Sequence, residues 1–189
     1  MNVSYITTNK LKFDIAKQFF EILDDYTLIQ PKLQVPEIQD SSCEEIARQS
    51  ARYAAQELRE VCIVTDVGFS IDALNGFPGP FVKYINEWLS EEQILRMLDN
   101  DSSRTVHFDD VLAIGFPNGD VKHFTHRVSG RLAIEGEYTK TGWPANSLFI
   151  PDGYSIPLGS MTDEDQEKFW LAENDNWQSA VDYLSKQLN

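Results

Sequence analysis

The tract Thr7-Thr8-Asn9-Lys10-Leu11-Lys12 stands where an expected strand gives way to an expected helix. A helix N-terminus presents unpaired N–H groups and the positive end of the helix dipole, which suit a phosphate. Thr7, Asn9 and Lys12 would add two polar side chains and one cation. The tract lacks the glycines and the G-K-[ST] ending of a P-loop. Taken alone it reads as a capped helix with solvated lysines.

A second group is acidic. Glu37 lies in a proline-containing loop, and Asp66 follows the apolar run Val61-Cys62-Ile63-Val64. Two carboxylates from separate segments could hold Mg²⁺, which takes one or two protein carboxylates and completes its shell with substrate phosphates and water. With 30 acidic residues in the chain, any one of them is more simply a solvated surface group. Asp66 is distinguished by its expected place at the end of a strand, where a rigid scaffold aims a side chain. Lys83 follows the rigid turn Pro78-Gly79-Pro80 and could be aimed at a phosphate as a point charge. Without further context it is an exposed lysine.

Trp143, between Gly142 and Pro144, could stack on an aromatic base, as could Trp170 and Trp177 near the C-terminus. Packing explains tryptophans equally well. His107, His123 and His126 show no metal-type spacing and no serine or cysteine partner, so they read as satisfied or exposed.

These residues need elements to position them. Val3–Thr7 reads as a strand, and Lys10–Leu23 as a helix with Leu11, Ile15, Phe19 and Ile22 on one side and Asn9 as N-cap. A strand at Tyr26–Gln30 leads into a loop from Pro31 to Ser42. Ser42 followed by Glu45 predicts a capping box for an alanine-rich helix running to about Leu58. The central segment Val61–Tyr84 predicts a strand, a break at Gly68, a second short strand, turns at Asn75-Gly76 and Pro78-Gly79-Pro80, and a helix carrying Lys83. Ser90 predicts the start of a short helix. Thr105–Phe116 and Val121–Arg127 read as strands joined by a turn at Pro117-Asn118-Gly119-Asp120. Val128–Glu137 reads as another strand, Tyr138–Asn146 as a loop and Leu148–Ile150 as a short strand. The tail Gln178–Leu188 has Val181, Leu184 and Leu188 at helical spacing. Early helix–strand alternation followed by antiparallel-type strands predicts an α/β protein with a mixed sheet.

The length of 189 residues fits a single domain, 1–189, with room for two lobes. No apolar run reaches the roughly 20 residues of a membrane span, and the start of the chain has no signal-peptide pattern. Cys43 and Cys62 lack metal-type spacing and read as inert thiols of a cytoplasmic protein. The net charge of −14 opposes binding to a long nucleic-acid backbone. A free nucleotide remains open, because a few lysines and a divalent cation can hold phosphates locally.

In order along the chain, these segments resemble the inosine triphosphate pyrophosphatase family, which hydrolyses noncanonical purine nucleoside triphosphates. The family's T-G-N-x-x-K resembles Thr7 to Lys12, its L-P-E loop resembles Val35-Pro36-Glu37, and its A-L-x-G-x-P-G resembles Ala73-Leu74-Asn75-Gly76-Phe77-Pro78-Gly79. Ser129-Gly130-Arg131-Leu132 is similar to its S-G-x-[IL], and Phe149-Ile150-Pro151-Asp152-Gly153 to its F-x-P-D-G. The resemblance implies an elongated two-lobed α/β domain with a long mixed β-sheet flanked by helices and a nucleotide cleft between the lobes. It implies a homodimer that takes a nucleoside triphosphate, while the charge and the lack of an apolar span speak against polymeric nucleic acid and a membrane as partners. It also implies attack of water on the α-phosphorus with pyrophosphate leaving. Thr7, Asn9, Lys12 and Lys83 would neutralise phosphate charge. Glu37 and Asp66 would hold Mg²⁺, and Asp66 would orient or deprotonate the water, with Lys12 as the second catalytic residue. Trp143 and Asn146 would form the base pocket.

The departures cluster at that pocket. The family's F-G-[WY]-D-P stands here as Trp143-Pro144-Ala145-Asn146-Ser147, with Asn146 in place of the base-reading Asp. Its S-H-R is absent; Asp175-Asn176-Trp177 stand in its place, and an insertion lies between Asp163 and Asn174. Thr65 replaces the first acid of the strand pair, and Ser50 the helix lysine; Arg48 and Arg52 lie about 200° around the helix from that position. One reading is a working pyrophosphatase with altered base recognition, since Asn both donates and accepts where an ionised Asp only accepts. The other is a catalytically impaired nucleotide-binding relative. Thr7, Asn9, Lys12, Glu37, Asp66 and Lys83 favour the first.

Overall fold

The computed structural model describes residues 1–23, 25–98, 103–140 and 142–187. In chain order the elements are β1 (Asn2–Tyr5), α1 (Lys10–Phe20), β2 (Thr27–Ile29), α2 (Cys43–Leu58), β3 (Val61–Ile71), β4 (Pro78–Gly79), α3 (Val82–Trp88), α4 (Glu91–Arg96), β5 (Thr105–Gly115), β6 (Val121–Leu132), α5 (Pro144–Leu148), β7 (Phe149–Pro151), α6 (Asp163–Ala172) and α7 (Asp175–Lys186). The strand order is β2-β1-β3-β5-β6-β7, with β4 paired to β3. β1 runs parallel to both β2 and β3, while β3–β4 and β6–β7 are antiparallel. The protein is α/β, with a mixed sheet flanked by helices, as expected.

The chain divides into two compact units. The first comprises Met1–Asp66, Asp110–His126 and Leu171–Asn189. Its core is built on β1, the first half of β3 and the second half of β5. On one side Val3, Tyr5, Ile63, Leu112 and Ile114 meet Ala16 and Phe20 of α1 and Trp177, Ala180, Val181 and Leu184 of α7. On the other, Val111 and Ala113 meet Cys43, Ala47 and Ala51 of α2. β5 is thus covered on both faces, which is why its sequence V-L-A-I-G is continuously apolar rather than alternating. Gly115 ends this run under α2. A Cβ there would sit 2.1 Å from the Ala51 carbonyl oxygen, so only glycine permits the close approach.

The second unit comprises Val67–Asp109 and Arg127–Trp170. Phe69, Phe108 and Phe149 form its aromatic centre, with ring centroids 4.7 to 6.1 Å apart. Ile85, Ile94, Leu98, Leu132 and Leu148 pack around them.

Several elements differ from expectation. β3 is one unbroken strand of 11 residues, because Gly68 stays extended and the buried Phe69 and Ile71 anchor the end of the strand. β6 likewise runs through Val128 to Leu132 without interruption. α1 stops at Phe20, so Ile22 lies beyond it and is exposed, as is Leu11; Ile15, Ala16 and Phe20 form its buried stripe. Residues 144–148 form a helix rather than part of a loop, and the inserted segment forms α6. α7 begins three residues before Gln178, and Leu188 lies outside the described residues. At α2 only half of the capping box forms. Ser42 Oγ accepts from Glu45 N, but the Ser42 N–H donates to Asp40 Oδ1 instead of Glu45.

Candidate functional site

In the first unit, β1 delivers the chain directly into the start of α1. Asn9 takes an extended conformation as N-cap, and its Oδ1 accepts the Lys12 N–H at 3.2 Å. Thr7 Oγ1 accepts the Asn9 N–H at 3.1 Å, and the Thr7 carbonyl accepts from Gln30 Nε2 at 2.8 Å. This pins the bend between strand and helix. It leaves the Asn9 amide group as a donor and sends Lys12 from the first turn of α1. Lys10 pairs with Asp14 along the helix surface, which separates it from Lys12.

Asp66 lies within β3 rather than at its end. It is half-buried, with its Oδ2 oxygen closed to solvent. Glu37 is exposed on a loop that Leu33 and Val35 tie to Ala54, Ala55 and Cys62. Carboxylate oxygens are the hard donors that Mg²⁺ prefers. Among the described residues no group of three or more His, Cys, Asp or Glu side chains could hold a metal. Glu37 and Asp66 both belong to the first unit, and each offers carboxylate oxygens of the kind Mg²⁺ takes.

Thr65, in place of an acid, is engaged by Tyr5: the two hydroxyls lie 2.7 Å apart. Burial raises the Tyr5 phenol well above its ordinary pKa, opposed by the Thr65 hydrogen bond and reinforced by the charge of Asp110, so it stays neutral. Ser50 is buried on α2 and supplies no charge. Arg48 pairs with Glu44, and Arg52 donates to the Gly119 carbonyl and to Gln49.

Asp110 is a further residue of this region, absent from the candidates that the motifs single out. It enters the first unit from β5, and its Oδ2 accepts from Asn176 Nδ2 at 3.0 Å. Burial raises its carboxyl pKa, while the charge of Lys12, the Asn176 hydrogen bond and His126 pull it down. The available signal was an ionisable pair, Asp109-Asp110, set against the apolar run V-L-A-I.

In the second unit, Gly79 adopts φ 57°, a left-handed turn that favours glycine, before the chain enters α3. Lys83 is exposed in the first turn of that helix. α5 packs against α3. The contact is fixed by Asn86 Oδ1 of α3, which accepts the Ala145 N–H at 2.9 Å. Trp143, the residue before α5, is 51% exposed, and Asn146 is half-buried in the helix. The fold thus brings the helix of Lys83 against the helix that carries the expected base-pocket residues. Trp170 and Trp177 are packing residues instead: Trp170 meets Phe108 edge-on at 5.7 Å, and Trp177 meets Tyr5 at 5.1 Å.

The histidines are satisfied. His107 lies between Asp72 and Asp109, His123 beside Glu44, and His126 beside Glu173. A depression of about 350 Å³ in the second unit is lined by Tyr154, Ile156, Met161, Asp165, Lys168 and Phe169. It contains none of the candidate residues and only one cation, so it does not suit a polyphosphate.

Residues 3–171 match the model of the Ham1 family. The dITP/XTP pyrophosphatase of Thermococcus kodakarensis is 31% identical over 186 residues, covering 92% of this chain and 99% of that protein. The dITP/XTP pyrophosphatase of Methanopyrus kandleri is 36% identical over 170 residues, covering 89% of this chain and 88% of the relative. Among solved structures, the Ham1 protein of Staphylococcus aureus superposes with a TM-score of 0.78 at 25% identity over the whole of both chains. A family match across nearly the whole chain, relatives above 30% identity and a shared fold establish that this protein belongs to the Ham1 family.

Proposed function

We propose that the protein is a nucleoside triphosphate pyrophosphohydrolase acting on noncanonical purine nucleotides. Water attacks the α-phosphorus, and the bond to the bridging oxygen breaks. Pyrophosphate leaves, and the nucleoside monophosphate remains. The observation that supports this reading is the junction of β1 and α1, where Thr7, Asn9 and Lys12 stand at the N-terminal end of α1, the positive end of its dipole. The two archaeal relatives named as dITP/XTP pyrophosphatases support the substrate class.

Thr7, Asn9, Lys12 and Lys83 neutralise and orient the phosphates. Asp66 orients the attacking water and accepts its proton. Glu37 and Asp66 would hold Mg²⁺, which supplies positive charge to the developing pyrophosphate. Trp143 stacks on the base, and Asn146 reads its edge with one donor and one acceptor. Phosphoryl chemistry depends on positioning and charge neutralisation more than on covalent steps, so polar side chains and a cation suffice. Buried thiols at Cys43 and Cys62, neither in a disulfide, support a cytoplasmic location.

Ser50 and Thr65 favour the opposing reading of a catalytically impaired nucleotide-binding relative, since each replaces a charged family residue with a neutral one. Mg²⁺-dependent release of pyrophosphate, screened across ITP, XTP, dUTP and the ordinary triphosphates, separates the two. Turnover of at least one purine analogue is expected, falling on the order of 100-fold in Asp66→Asn. No turnover of any substrate, with Asp66→Asn indistinguishable from wild type, overturns the enzymatic reading.

A further inference from the structure

We propose that Asn86 is a positioning residue for the base pocket: its side-chain carbonyl holds the first turn of α5 against α3 and so sets where Trp143 and Asn146 meet a nucleotide base. The inference rests on the reading of Trp143 and Asn146 as base-binding residues.

α5 does not cap itself. Its N-cap residue is Trp143, extended at φ −87° and ψ 131°, whose side chain bonds no helix N–H. Pro144 follows at the start of the helix and has no N–H to offer. The Ala145 N–H is therefore the first of the helix, and no helical carbonyl precedes it. Ala145 is 1% exposed, and a buried N–H left unpaired is costly. Asn86 Oδ1 accepts it at 2.9 Å from the neighbouring helix. A capping oxygen ordinarily comes from the residue that flanks the helix. Here it comes from 59 residues earlier in the chain.

The bond falls where the pocket is set. Ala145 stands between Trp143 and Asn146, so its N–H is fixed in the middle of the base-binding segment. The body of α5 is held by apolar packing, in which Ala145 and Leu148 join a core with Ile85 of α3 and Ile94 of α4. Such packing is non-directional, and it does not orient Trp143, which is 51% exposed. Upstream, Lys140 pairs with Glu92 at 2.6 Å, but both side chains face solvent, which weakens that tie. The half-buried Asn86 supplies what these contacts lack, a bond of defined length and direction. Asn86 also lies three residues after Lys83, one turn further along the same side of α3. One side chain thus ties the base-binding segment to the helix that carries a phosphate-binding lysine.

The test measures by calorimetry, with Mg²⁺ present, the affinities of inosine monophosphate, which carries a base, and of inorganic pyrophosphate, which carries none. Wild type is compared with Asn86→Ala, Asn86→Asp, Trp143→Ala and the Asn86→Ala/Trp143→Ala double variant. The readout is the ratio of the two affinities, because general damage to the fold weakens both ligands together. Asn86→Ala should lower the ratio about tenfold, short of the roughly 100-fold that a 1 Å misplacement can cost a reaction. Asn86→Asp keeps an acceptor for the Ala145 N–H. Its added charge weighs more on pyrophosphate than on the monophosphate, so its ratio should stand at or above that of wild type. In the double variant the loss should fall short of the product of the two single losses, since both residues act through one contact with the base. An unchanged ratio in Asn86→Ala, parallel weakening of both ligands, a ratio in Asn86→Asp as low as in Asn86→Ala, or fully multiplied losses overturns the proposal. An unchanged ratio in Trp143→Ala overturns the base-pocket reading of Trp143, whereas a lowered ratio there beside an unchanged one in Asn86→Ala overturns only the role of Asn86.

Discussion

Lys12 and Lys83 are both lysines in a first helical turn, yet their surroundings differ. Lys12 is half-buried, in the same unit as Asp66 and within the influence of Asp110. Lys83 is exposed on a helix of seven residues. The tryptophans sort in the same way. Trp177 is 3% exposed and holds α7 to Tyr5, Phe19 and Phe20, while Trp143 presents half of its surface to solvent beside Pro144. A variant retaining Trp143 as its sole tryptophan should change fluorescence on saturation with a purine triphosphate. An unchanged signal removes Trp143 from the base pocket. The Cys62 thiol is pushed up to about 12 by burial, with the charge of Glu60 adding to it, which accords with the inert role expected of it.

At the scale of elements, the local signals were legible where they depend on neighbours in the chain. Asn9, Ser42 and Ser90 cap their helices, because a capping oxygen reaches only to N–H groups two or three residues on. The Asn118-Gly119 turn falls between two strands as its residue types require. Gly68 does not break its strand, since glycine permits a bend without imposing one, and the pairing of β3 keeps it extended. Pro144 opens a helix rather than extending a loop: proline in a first helical turn is well tolerated because its missing N–H would be unpaired there. Gly115 shows how tightly one such element is held. Gly115→Ala should force β5 and α2 apart and lower stability by about 1–3 kcal/mol, the usual cost of overpacking. Urea denaturation measures this directly, and a loss below about 0.5 kcal/mol would mean that α2 can yield.

For the whole molecule, the net charge of −14 argues against polymeric nucleic acid, and no helix among the described residues is long and apolar enough to cross a membrane. The family resemblance implies a homodimer, and the exposed aromatic face beside α3 is where that expectation can be tested. There Phe81, Tyr84 and Trp88 are 37%, 40% and 70% exposed, and the Tyr84 and Trp88 rings lie 5.0 Å apart. Aromatic side chains grouped in this way are typical of association surfaces. Light scattering should return twice the chain mass of 21.6 kDa, and Trp88→Glu should shift the protein toward monomer. A monomer in the wild type, or a dimer indifferent to the substitution, excludes this face. By itself the sequence determined the α/β alternation, the helix caps, and the tract from Thr7 to Lys12, because each depends on residue types acting over a few positions. Only the tertiary structure decided that Asp110 accepts a hydrogen bond from Asn176, 66 residues away. That contact depends on how β5 and α7 pack, and no short-range pattern carries the information. On residue types alone, Lys10 and Lys12 are two solvated lysines of a capped helix; packing half-buries Lys12 and leaves Lys10 on the surface beside Asp14.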